Sequence, residues 1–103
     1  MPSKSPLKRK FVIEQKAQDE FEISYRWYLE RSAQSADNFR NELLKKFLFI
    51  GDYGDTLPIV KNNLRKTSLS VFPFQVIYEI TDEQITVYSI FHTSRNPKKK
   101  FRK

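Results

Sequence analysis

Four residues of this chain carry groups able to work on a phosphodiester without a metal. Arg65 and Lys66 stand side by side, and His92 and Arg95 stand three apart near the C-terminal end. Such chemistry needs one group to activate the attacking hydroxyl, one to protonate the leaving oxygen, and a cation on the phosphate. His92 is the sole imidazole, and one imidazole at a strand end serves more often as a hydrogen-bonded structural group than as an acid or base. Arg95 has a similarly plain alternative, an ion pair with a carboxylate of its own fold. A second set is Lys98, Lys99, Lys100, Phe101, Arg102 and Lys103, one aromatic among five cations. That composition suits phosphates and stacked bases, or an acidic protein segment.

The charge distribution points the same way. The net charge is +7, and ten of the 19 basic residues lie in the first ten and last twelve positions, where there is no carboxylate. The stretch 11–91 carries 12 acidic and nine basic residues. Basic ends on a mildly acidic body suggest either solvated tails or a partner rich in negative charge. With no cysteine, a disulfide framework and a thiolate metal site are excluded; with one histidine a zinc cluster is not expected, nor is a cofactor. Nothing approaches the apolar run that a bilayer span requires, and residues 1–10 lack the core of a signal peptide, so a cytoplasmic protein is expected.

The elements that must position these residues follow from periodicity. At 103 residues, with 39% hydrophobic and 15% aromatic content, the chain can build one core. We expect a single domain over 1–103, ordered over about 9–97, with a basic tail at 98–103. Lys10 to Gln15 alternates and reads as a strand. From Ala17 the period changes: Ala17, Phe21, Tyr25, Tyr28 and Leu29 mark one face of a helix over 16–31. Ser35 is then placed to cap a second helix striped by Ala36, Phe39, Leu43, Phe47 and Ile50. Gly51, Gly54 and Pro58 predict irregular chain over 52–63. Three alternating runs follow, Arg65 to Phe72, Phe74 to Thr81 and Gln84 to His92, and read as a meander.

The resulting order, β-α-α-β-β-β, predicts an α+β fold of two layers, a helical hairpin packed on one face of a mainly antiparallel four-stranded sheet. The other sheet face is expected to be open to a partner. If the meander pairs in order, Arg95 and His92 are expected within reach of the end of the strand carrying Arg65. Tyr25 and Tyr28 belong to the packed stripe, whereas Trp27 lies off it and is a candidate contact residue.

Several pieces together resemble a known family. They are Ala17-x-x-Glu20-Phe21, Tyr28, Ala36-x-x-Phe39, Phe72-Pro73-Phe74-x-Val76-Ile77-Tyr78 and His92-x-x-Arg95-x-Pro97. Over about residues 9–97 the chain resembles the RelE/ParE superfamily of bacterial type II toxin-antitoxin toxins. The resemblance implies a growth-inhibiting toxin, of the kind encoded by plasmid-stabilising modules, neutralised by a cognate antitoxin. RelE-like members enter the ribosome and cut mRNA without a metal, for which Arg65, Lys66, His92 and Arg95 are the candidates here. ParE-like members act on DNA gyrase. The ribonucleases typically carry an arginine on the third strand where this chain has Gln75, and an amide cannot replace that cation. The ParE-like branch is therefore favoured, with Arg95, Lys98, Lys99, Lys100, Phe101, Arg102 and Trp27 as candidates for contact with target or antitoxin; the alternatives are the ribosome-dependent mRNA endonuclease and an inactive, antitoxin-binding member of the family.

Overall fold

The computed structural model describes residues 9–94. The chain runs β1 (Lys10–Ile13), α1 (Gln15–Arg31), α2 (Ala33–Tyr53), a 3-10 turn (Gly54–Thr56), β2 (Ile59–Lys61), β3 (Leu64–Ser68), β4 (Phe74–Ile80) and β5 (Gln84–His92). The strands form one mixed sheet in the order β1-β5-β4-β3-β2. β1 runs parallel to β5, and the other neighbours are antiparallel. The α+β frame expected from periodicity is present. β2 is a fifth strand of three residues inside the segment read as irregular.

Local chemistry explains the boundaries. α1 carries successive i,i+4 pairs, Gln15 with Asp19, Lys16 with Glu20 and Glu22 with Arg26. The two helices are separated by Ser32 alone, whose extended backbone (φ −167°, ψ 116°) donates back to the Tyr28 carbonyl while its hydroxyl accepts from the Ser35 amide. The cap is thus Ser32, three residues ahead of the expected Ser35, because the link is shorter than the polar run Ser32-Ala33-Gln34-Ser35 suggests. α2 ends where Gly54 meets the sheet. A methyl there would lie 3.0 Å from Ile50, 3.1 Å from Ile80 and 3.2 Å from Tyr78. The Tyr78 hydroxyl donates to the Gly54 carbonyl at 2.8 Å in a buried bond. Asn62 and Asn63 both adopt positive φ (50° and 68°), the backbone of a two-residue hairpin turn, and this lets β2 fold back on β3.

Both helices lie on one sheet face. Ala17, Phe39, Leu43 and Ile50 pack there against Phe74, Val76 and Tyr78 of β4 and Ile85, Val87 and Ile90 of β5. β4 alternates, so Gln75, Ile77 and Glu79 point to the far face. That face is not bare, since Ile77 and Phe91 are buried on it. The β4–β5 ladder carries a bulge: Ile77 pairs with Ser89 and Tyr78 with Val87, leaving Tyr88 as the extra residue. β3 stops at Ser68, four residues before the expected end. Beyond it, the carboxylate of Glu42 on α2 accepts the backbone amides of Ser70 and Val71 and ties that loop to the helix.

Candidate functional site

β3 and β5 are both antiparallel to β4 and so run in the same direction. Arg65 is near the start of β3 and pairs with Tyr78; His92 ends β5 and pairs with Phe74. Four positions of β4 separate the two rows, roughly 13 Å along the strand at ~3.3 Å per residue. Ser68 at the end of β3 pairs with Gln75, in the row next to His92, so His92 lies beside the end of the strand carrying Arg65, while Arg65 itself stands toward the other end of that strand.

Arg65 is also committed elsewhere. Paired with Tyr78, it lies on the helix side, and its Nη1 donates to the carbonyls of Leu57 and, at 3.3 Å, Asp55. It clamps the 3-10 turn and the chain leading into β2. Lys66 pairs with Ile77 and so lies on the opposite face from Arg65. His92 packs edge-on against Phe74 with centroids 4.9 Å apart, and its Nδ1 accepts the Ser94 amide at 3.2 Å. Gln75, in place of the cation of the ribonucleases, reaches Ser68 Oγ at 3.5 Å, while its Oε1 is buried with no hydrogen-bond partner among the described residues. Arg95, Lys98, Lys99, Lys100, Phe101 and Arg102 lie outside the described residues.

Two tyrosines are electrostatically perturbed. Burial pushes the Tyr78 hydroxyl up to about 12; Arg65 acts against the shift and Asp55 adds to it. Tyr88 is also pushed up to about 12, chiefly by the 2.8 Å hydrogen bond it donates to Glu79. Both remain protonated at neutral pH, and neither is poised as a base. Among the described residues no cluster of three or more histidine, cysteine, aspartate or glutamate side chains could hold a metal, and no helix is long and apolar enough to cross a membrane.

The hairpin surface carries apolar residues that look outward. Trp27 is 46% exposed, with its indole edge-on to Tyr28 at 5.2 Å and the Arg31 guanidinium 3.7 Å from its ring centroid. Ile23, one turn earlier, is exposed as well, as are Leu44 and Leu48 one turn apart on α2. Only Trp27 stood out in the sequence. Of the others, Leu44 and Leu48 lie one position and Ile23 two positions off the core stripe, where period alone does not separate a stripe's edge from a contact surface. A second missed group is Glu20 with Lys16 and Ser89. The Ser89 hydroxyl donates to Glu20 Oε1 at 2.8 Å, and Lys16 Nζ lies 3.1 Å from Glu20 and 3.2 Å from Ser89. The Lys16–Glu20 spacing was visible in the sequence, but Ser89 is 69 residues from Glu20 and enters only through the fold.

A helical hairpin over a mixed, mainly antiparallel sheet, with a parallel first strand beside the last, defines an α+β fold of the RelE/ParE type. A solved structure titled as a chromosomal ParDE toxin-antitoxin system from P. aeruginosa superposes with a TM-score of 0.71, covering 82% of this chain and 96% of its own at 12% identity, a likeness of fold. Comparison with curated protein sequences gives no match. The model of the family described as the ParE toxin of the type II toxin-antitoxin system parDE matches residues 11–97, and the chain belongs to that family.

Proposed function

We propose that this ParE-family toxin is held inactive by an antitoxin of the ParD kind, and that in the cytoplasm its target is DNA gyrase, engaged by binding and not by RNA cleavage. The observation that carries this reading is the dispersal of the three cleavage candidates that lie among the described residues. Arg65 holds two backbone carbonyls on the helix side. Lys66 is on the other face, His92 is at the far end of the sheet, and the β4 position where the ribonucleases carry a cation is the neutral Gln75. General acid, general base and phosphate cation must sit within hydrogen-bond reach of one scissile group. The outward apolar pairs Ile23 with Trp27 and Leu44 with Leu48 support a protein partner for the hairpin.

The test is induction of the toxin alone in cells, with plasmid topology and transcript integrity followed together. Loss of negative supercoiling and a DNA-damage response, with transcripts intact, is the expected result. Codon-phased mRNA cuts within minutes, with supercoiling unchanged, would overturn the reading.

A further inference from the structure

β1 pairs with β5 only over 84–87. The Glu14 amide makes the last contact, donating to the Val87 carbonyl at 2.9 Å, and the chain then turns away into α1. Beyond that point no strand lies along this side of Ser89–Phe91 among the described residues. The sequence there is hazardous. The stretch that β1 leaves uncovered, Tyr88-Ser89-Ile90-Phe91, is mostly apolar or aromatic, has no formal charge, and contains neither proline nor glycine. An uncharged apolar strand edge left open pairs readily with a copy of itself.

α1 meets this edge with a carboxylate. Glu20 Oε1 accepts the Ile90 backbone amide at 2.8 Å and the Ser89 hydroxyl at 2.8 Å, while Lys16 spans Glu20 and Ser89. Ser89 is fully buried, so this is a fitted contact and not a chance surface pair. The amide it occupies is the donor that an added strand would need. A charge standing at the edge also makes its burial under a second sheet costly.

We propose that Glu20 is an edge guard: by taking the Ile90 amide where β1 leaves the sheet, it keeps β5 from pairing with β5 of a second copy of this chain. The occupant excluded is a like molecule because the segment is uncharged and self-complementary, which suits antiparallel pairing across a two-fold axis. The inference is independent of the toxin's target.

The experiment uses the purified full-length chain, with site-resolved amide hydrogen exchange and sedimentation velocity over a concentration series. In the unmodified protein the Ile90 amide should exchange at least a hundredfold more slowly than in an unstructured peptide. In Glu20→Ala it should exchange at least tenfold faster at low concentration. Self-association should tighten at least tenfold, with Ile90 protection returning as the copies pair. Glu20→Gln keeps an acceptor oxygen and should stay as monomeric as the unmodified chain, with Ile90 protected. The proposal is overturned if Ile90 is unprotected in the unmodified protein, if Glu20→Ala associates no more than that protein, or if it associates with Ile90 still exposed. Equal association of the Ala and Gln variants also overturns it. Should Glu20→Ala fail to fold, Ile90 exchange in the unmodified chain and in Glu20→Gln decides the matter, loss of protection in either counting against the guard.

Discussion

Replacing Arg65 by alanine separates a structural arginine from a phosphate-binding one. In the structure its guanidinium serves the Leu57 and Asp55 carbonyls, joining β3 to the 3-10 turn and the entry to β2. A hydrogen bond from a charged donor contributes about 1.5–3 kcal/mol. The contact to Asp55 is long and exposed and adds little, so truncation should cost about 2 kcal/mol. For a domain of this size that lowers the Tm by about 10 °C, at ~4–8 °C per kcal/mol. Arg65→Lys keeps the charge but not the planar fork, and should recover only part of the loss. The assay pairs thermal and urea melts with growth inhibition measured well below the variant's Tm. Stability should fall in the order Arg, Lys, Ala, with inhibition per folded molecule unchanged. An alanine variant as stable as the original but no longer toxic would show that Arg65 touches the target, and the reasoning from its carbonyl contacts would fail.

Tyr78→Phe removes the buried hydroxyl donor to the Gly54 carbonyl, which keeps only the 3.4 Å bond from the Leu57 amide, and should cost about 1 kcal/mol in a urea melt, with little change in slope. Tyr78 and Tyr88, raised to about 12 from an ordinary value of 10, should give no phenolate absorbance near pH 10 in the native protein. In denaturant both should titrate near pH 10. Their neutral forms are favoured by the fold, so their contribution to stability is full below about pH 10 and is lost as pH rises toward 12, which an alkaline series of urea melts would detect. His92→Gln retains a hydrogen-bonding group without a titrating one, and growth inhibition should be unaffected; a large loss with the Tm unchanged would favour proton transfer at His92.

Periodicity was enough for the two helices and for the long strands, because Phe39, Leu43 and Ile50 repeat at helical spacing and Phe74, Val76 and Tyr78 at strand spacing, each set meeting the other in one core. β2 was hidden because three residues are too few to display a period and Pro58 stands directly before it; the Asn62-Asn63 pair was its available signal. The end of β3 was misplaced because the stop comes from Glu42, a side chain on another element. The candidate cleavage residues were grouped by type, while their distance was fixed by strand direction: two strands antiparallel to the same neighbour put the beginning of one far from the end of the other. Glu20 carried no sign of its role, since its partners Ser89 and Ile90 are 69 and 70 residues away.

The position of β5 bears on how the toxin comes into being. Among the described residues it is the last strand in sequence, yet it lies inside the sheet, between the first strand and β4. A growing polypeptide that has delivered β1, both helices and β3 still has nothing to join its N-terminal strand to the rest, and the side of α1 that packs on β5 has no floor. Such long-range closure is slow, because the entropy of closing the loop is lost before the contacts form. Until residues 84–92 have left the ribosome there is no complete core. During that interval its apolar segments are open to capture by a partner already present in the cell.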